Sequence, residues 1–273
     1  TIPWPELAVP RMAAPPVVDG AIGEDEWAAA SSITGVATWA AEGAPGQPAA
    51  MVPEVQQVRW FLGYDDANLY LAMYSPHPKG SALTANVKKN DEGYTILWDD
   101  HTEIQLSPRG RTIPDGFYKI MVNPRGFLAD QWWFSGTPGA EDLWQSGATV
   151  RSSVGETAWQ VEMAIPFKTM DAGKPDGARW VVNLVRTDFC GGVYFAGWVG
   201  SSWMGWKEFP EIVFSREAPS FHLKKLGDIP AGKLDAEIVL STRRERETVE
   251  ASVRATDADG REIYRETKTV ALS

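Results

Sequence analysis

Along most of this chain apolar and polar residues alternate in short runs broken by Gly, Pro, Asn and Asp, the rhythm of strands joined by tight turns. The clearest runs lie at 55–64 and 69–74, on either side of Asp65-Asp66-Ala67-Asn68, whose Asp and Asn side chains stabilise a turn by bonding their own backbone. Others lie at 117–122 and 127–134 around Asn123-Pro124-Arg125-Gly126, and at 149–154 and 159–165 around Gly155-Glu156. With 17–18, 33–40, 102–106, 180–188, 194–199 and 212–214 the set reaches roughly ten or more short strands. Two stretches read as helical turns instead: 23–30, headed by Glu24, Asp25 and Glu26 where the helix dipole favours acids, and 167–170 after Pro166. The pattern predicts an all-β fold, an antiparallel β-sandwich of immunoglobulin-like or jelly-roll-like type.

The run at 102–106 is two-faced, with Thr102, Ile104 and Leu106 on one side and Glu103 and Gln105 on the other. Trp98, Asp99, Asp100 and His101 just before it are poor strand interior and suit a loop-to-strand junction, where a sheet presents polar groups and a ring to solvent. That is the makeup of a binding rim; the plain alternative is a core Trp98 with acids that merely solvate a turn. Trp27, Trp60, Trp159 and Trp180 stand at core positions. Trp198, Trp203 and Trp206 instead share a Gly- and Ser-rich run that is too polar and flexible to be only core.

Residues 1–16, rich in Pro and Ala, read as an extended lead, 17–218 as the sandwich, and 219–273 as a C-terminal extension. The lead suits a mature N-terminus behind a removed signal peptide, and equally a shortened chain. In the extension a linker at 227–232 precedes strands at 234–242, 248–256 and 262–270, with the charged run 243–247 as a hairpin tip. These three predict a short meander that either extends the sandwich or opens a second β-domain.

Composition narrows the function. A net charge of −10 and a pI near 4.9 argue against nucleic acid or an anionic membrane surface as partner. The single cysteine, Cys190, closes no intramolecular disulfide, and His77, His101 and His222 give no zinc-type cluster. No apolar run is long enough to span a bilayer. Thirteen Trp against seven Tyr is an unusual balance, and some of those indoles are expected to meet a ligand.

Five stretches in order resemble a family 9 carbohydrate-binding module over residues 17–215. They are Asp19-Gly20 with Glu24-Asp25-Glu26-Trp27, the hairpin Gly63-Tyr64-Asp65-Asp66-Ala67-Asn68-Leu69-Tyr70, the acidic central strand at 99–106, the Trp, Glu, Ile-Pro-Phe strand at 159–167, and the strand at 180–186 that carries an Asn and an Arg. The resemblance implies a non-catalytic, secreted module of a polysaccharide-degrading protein that holds a sugar between two Trp rings. Carried over, Trp98 matches the first ring, Glu103 the acid of the central strand, Arg186 the basic residue, and Trp198 the second ring, with Trp203 and Trp206 of the same run as its alternatives. Lys119 is an approximate match to a further donor. A pyranose suits such a set because its C–H faces stack on indole while its hydroxyls pair with carboxylate, amide and guanidinium. The family also binds structural calcium, for which the loop acids Asp19, Asp65 and Asp66 are the candidates.

Each assignment has an alternative. Arg186 shares a strand face with Val182 and Leu184 and is read equally as a structural cation paired with Glu162 or Glu103 inside the sandwich. Asp99 and Asp100, neighbours in sequence, point apart and make a poor glycosidase pair. Related sandwiches carry a b-type haem, for which Met73, Met121 and Lys119 are the axial candidates. A ligand-free adhesion or spacer domain is the third reading.

Overall fold

In this computed structural model the described residues are 5–38, 50–91, 93–110, 117–133, 144–190, 195–198, 209–242, 248–256, 259 and 261–271. Among them the chain runs β1 (Glu6–Pro10), α1 (Glu24–Trp27), β2 (Ser31–Ile33), β3 (Val36–Thr38), β4 (Arg59–Tyr64), β5 (Asn68–Pro76), β6 (His101–Ser107), β7 (Phe117–Val122), β8 (Leu128–Trp133) and β9 (Thr149–Val154). It continues through β10 (Ala158–Pro166), β11 (Arg179–Thr187), β12 (Ala196–Trp198), β13 (Glu211–Ser215), β14 (Ser220–Lys225), β15 (Glu237–Ser241), β16 (Thr248–Thr256) and β17 (Glu262–Ala271). The first sheet has the order β1-β13-β11-β6-β7-β8, with β12 joining β11 to β3; the second has the order β15-β14-β2-β4-β5-β10-β9. The all-β sandwich is thus observed, antiparallel except where β1 runs parallel to β13 and β14 parallel to β2.

The inner faces meet in one apolar core. Trp60, Leu62, Tyr64, Leu69, Leu71, Met73, Trp159, Val161, Met163 and Ile165 from the second sheet pack against Ile104, Leu106, Ile120, Val122, Trp180, Val182 and Leu184 from the first. Trp27, Trp60, Trp159 and Trp180 are all fully buried, as their positions predict. Both sheets are also covered on their outer faces, which is why β6 and β11 are buried along almost their whole length rather than at alternate residues. On the second sheet the cover is the segment around α1: Met12, Trp27 and Ala30 pack on Phe61, Tyr70 and Ala72.

A buried acid ties that cover down. Glu162 projects outward from β10 and accepts hydrogen bonds from the backbone N–H groups of Asp19 and Gly20, at 3.0 and 2.8 Å, and from Trp27 Nε1, at 2.7 Å. Gly20 is needed there. Its φ of +96° is a left-handed conformation, and a Cβ would sit 3.2 Å from the Ser152 backbone. The Asp-Gly, Trp and Glu of the sequence pattern are therefore one hydrogen-bonded unit, and Glu162 is not the partner of Arg186.

The structure corrects four expectations. Residues 17 and 18 belong to no strand, and the chain bends at Asp19-Gly20 as read. The stretch read as an extended lead contains β1, an integral strand of the first sheet whose neighbour β13 lies some two hundred residues away. In the run at 33–40, of which 39 and 40 lie outside the described residues, Ile33 ends β2 and Val36–Thr38 form β3, and these belong to different sheets. The C-terminal strands are no meander: β14, absent from the sequence reading, pairs with β15 and extends the second sheet, while β16 and β17 pair only with each other.

Truncating Glu162 strands one indole and two backbone donors in a buried site, so Glu162→Ala should cost about 3 kcal/mol of stability. Urea unfolding of the variant against the parent measures this, and a loss under 1 kcal/mol would contradict the role given to Glu162.

Candidate functional site

The chemistry of the first sheet is divided by its pleat. On β6, Thr102, Ile104 and Leu106 point inward, whereas His101, Glu103 and Gln105 point to the outer face. Strand register then aligns Asn183 of β11, Gln105 of β6, Lys119 of β7 and Gln131 of β8 in one row across four strands. All four are buried, and so is Glu103 one step along. Lys119 Nζ lies 3.1 Å from Glu103 Oε2, Asn183 Nδ2 donates to Gln105 Oε1 at 3.2 Å, and Gln105 Nε2 donates to Glu103. Such a row sets an ammonium, a carboxylate and three amides in one buried plane, where they pair with one another.

His101 closes one end of this face. Its Nδ1–H donates to the Asp99 carbonyl at 2.9 Å and its Nε2 accepts from the Thr187 hydroxyl at 3.2 Å. Burial holds its pKa below the ordinary value, outweighing the pull of Glu103, so the ring is neutral. His222, whose Nε2–H donates to the Ala28 carbonyl at 3.1 Å, is lowered for the same reason.

Trp98 ends a short 3-10 helix, Gly93–Trp98, just before β6, and its ring is 74% exposed. The loop that carries it lies on the outer face, because Val87, Ile96 and Leu97 pack on Met121 and Ala129 there. Asp99 fixes this loop from beneath, accepting from the backbone N–H groups of Asn86 and Val87 and from Asn123 Nδ2. Asp99 and Asp100 are consequently buried anchors rather than solvated turn acids.

Arg186 belongs to the other side of the sheet. It points inward from β11, where Nη2 bonds Asp100 at 2.9 Å, Nε donates to Ser75 Oγ of the opposite sheet at 3.0 Å, and the guanidinium lies 4.8 Å from the Trp159 ring centre. It is buried between the sheets and cannot share a ligand with Glu103, whose carboxylate faces outward. Trp198 is also displaced from its assigned role: it pairs with Val36 through β12 and packs into the inter-sheet core. Trp203 and Trp206 lie outside the described residues.

The candidate calcium acids do not converge. Asp19 Oδ1 caps Ala21 N–H; Asp65 accepts from Ala67 and Asn68 N–H and from the Tyr70 hydroxyl; Asp66 is paired with Arg11 at 2.5 Å. These residues do not fit a shared hard cation. The one trio of possible metal ligands among the described residues is Asp100, Asp188 and Cys190, and there Asp100 is already occupied by Arg186 and by the backbone of Thr84 and Phe189. The three haem candidates are also divided, with Met73 in the core between the sheets and Met121 and Lys119 on the outer face.

No protein-family profile and no curated protein matches the chain. Solved structures do. A protein of Bacteroides uniformis provisionally described as carbohydrate-binding superposes with a TM-score of 0.56 at 18% identity, covering 77% of this chain and 99% of its own. A family 9 carbohydrate-binding module of Caldicellulosiruptor kristjanssonii in complex with cellotriose gives 0.51 at 16% identity, covering 77% of this chain and 93% of that one. The same organism's family 9 module with glucose gives 0.50 at 15%, covering 77% and 95%. The chain has the fold of a carbohydrate-binding module. The sandwich anticipated from five short stretches is therefore confirmed as a fold, and among the described residues no helix is long and apolar enough to cross a membrane.

Residues of the polar row other than Glu103 and Lys119 were the hardest to find in the sequence. Gln105 and Asn183 lie on strands that the pattern did locate, but their alignment with Gln131 exists only in the strand register.

Two outcomes follow from this placement. Trp198→Ala opens a cavity in the core and should cost roughly 3–5 kcal/mol of stability, whereas Trp98→Ala should leave it within about 0.5 kcal/mol; thermal melts of the two variants compare them directly. Because His101 and His222 are held neutral, the unfolded chain takes up protons first as pH falls below the ordinary value of about 6.5. Stability is then full above that pH and declines beneath it, and a melting temperature unchanged between neutral pH and pH 5 would contradict the assignment.

Proposed function

We propose that this chain is a non-catalytic carbohydrate-binding module whose ligand stacks on Trp98, beside the outer face of the first sheet. The observation that carries this reading is the exposed indole of Trp98 at the end of a loop that packs on the outer face of the first sheet, the face that carries Asn183, Gln105, Lys119 and Gln131. An apolar sandwich has no need of such a row, since burying amides and a Lys–Glu pair stabilises it little or not at all. A sugar uses the ring for its C–H face, and the polar row, Glu103 and Lys119 included, underlies the loop that carries it. Glucose and cellotriose, the ligands in the structures of like fold, are the first to test. Glu103 and Lys119 lie beneath this site; Arg186 and Trp198 support it from within the sandwich. We place the module in a secreted protein acting on polysaccharides, which the acidic charge and lack of disulfide-forming cysteines accommodate.

Titration calorimetry with cellotriose, preceded by a glycan array to cover other linkages, tests the reading. Binding by the parent and a loss of about 1–3 kcal/mol in Trp98→Ala are expected. A parent that binds no glycan overturns the function, and a Trp98→Ala variant that binds like the parent moves the site elsewhere.

A further inference from the structure

The hairpin of β16 and β17 stands apart from both large sheets. A two-stranded ribbon is marginal by itself in water, and among the described residues neither of its edges is paired with a further strand. All ten residues of β17 are exposed, Ile263 at 68%. One face of the ribbon is the more apolar: Val249, Ala251, Val253 and Ala255 of β16 stand opposite Val270, Lys268, Glu266 and Tyr264 of β17. On that face Glu266 and Lys268 look across at Val253 and Ala251, so neither has a charged neighbour on the β16 side; they pair along their own strand, at 3.1 Å and largely exposed.

We propose that the free edge of β17 pairs antiparallel with β17 of a second copy of this chain, about a two-fold axis at Thr267. The register is chosen by the side chains. Only registers centred on a residue, rather than between residues, keep the two apolar ribbon faces on one side of the resulting four-stranded sheet, because side chains alternate along a strand. Centring on Arg265, Glu266 or Lys268 sets identical charges directly opposite each other, which is destabilising. Centring on Thr267 sets Glu266 opposite Lys268 of the second copy, twice by symmetry, and Tyr264 opposite Val270, an aromatic and β-branched pair. Arg265 then faces Thr269, so no like charges meet. The exposed Glu266–Lys268 contact within one strand is weak and is readily exchanged for contacts across the interface.

Sedimentation equilibrium of the full chain over rising concentration, with far-UV circular dichroism to verify folding, tests this on the parent, on Lys268→Glu and on the double variant Glu266→Lys, Lys268→Glu. The parent is expected to dimerise, Lys268→Glu to dissociate at roughly tenfold higher concentration because two attractive pairs become repulsive, and the double variant to recover the parent's behaviour. A parent that stays monomeric overturns the proposal and leaves the edge to a strand of another chain. A dimer equally stable in all three proteins overturns it too, by placing the contact elsewhere on the surface.

Discussion

A β-strand can send successive side chains only to opposite faces, and in β6 and β11 that constraint sorts the charges of this protein into two separate systems. Asp100 and Arg186 go inward; Glu103, Gln105 and Asn183 go outward. Since an uncompensated buried charge is costly, each system must be neutralised on its own side. Arg186 is matched by Asp100 and braced by Ser75 and Trp159 of the opposite sheet, so the inner pair fastens the two layers together. Glu103 is matched by Lys119 on the neighbouring strand, which leaves the outer pair set in a plane of amides.

The same separation explains the use of tryptophan. Four indoles fill the core or its α1 cover, and Trp198 joins them from β12, so five of the Trp among the described residues serve packing. Trp98 differs because the loop before it is pinned from below. Asp99 takes up the backbone of residues 86 and 87, Asp100 that of Thr84, and Ile96 with Leu97 buries the apolar side of the loop against Met121 and Ala129. With its neighbours committed to the sheet, the ring at the end of the 3-10 helix is held out in solvent at little entropic cost.

Cover on the outer faces also explains how a chain with so few helical residues buries its central strands on both sides. The segment from Met12 to Ala30 lies over the second sheet and is fixed by the Glu162 carboxylate, and His222 ties β14 to Ser32 and to the end of α1. The β16–β17 ribbon has no such cover among the described residues, and its sequence answers with charge along an exposed edge.

The amino-acid sequence by itself determined most of the strands and the class of fold, because period-two alternation and turn chemistry act within a few residues. It located β7, β9 and β16 to the residue, and placed Trp27, Trp60, Trp159 and Trp180 in the interior. It also marked out Trp98, Glu103 and Lys119 as members of one region. What only the tertiary structure decided was partnership. A local window does not show that β1 lies beside β13, that Glu162 serves Trp27 while Arg186 serves Asp100, or that Trp198 turns into the core. These choices depend on which face of which strand meets which, and that is set by register between segments tens to hundreds of residues apart, where one step moves every side chain to the opposite side of the sheet.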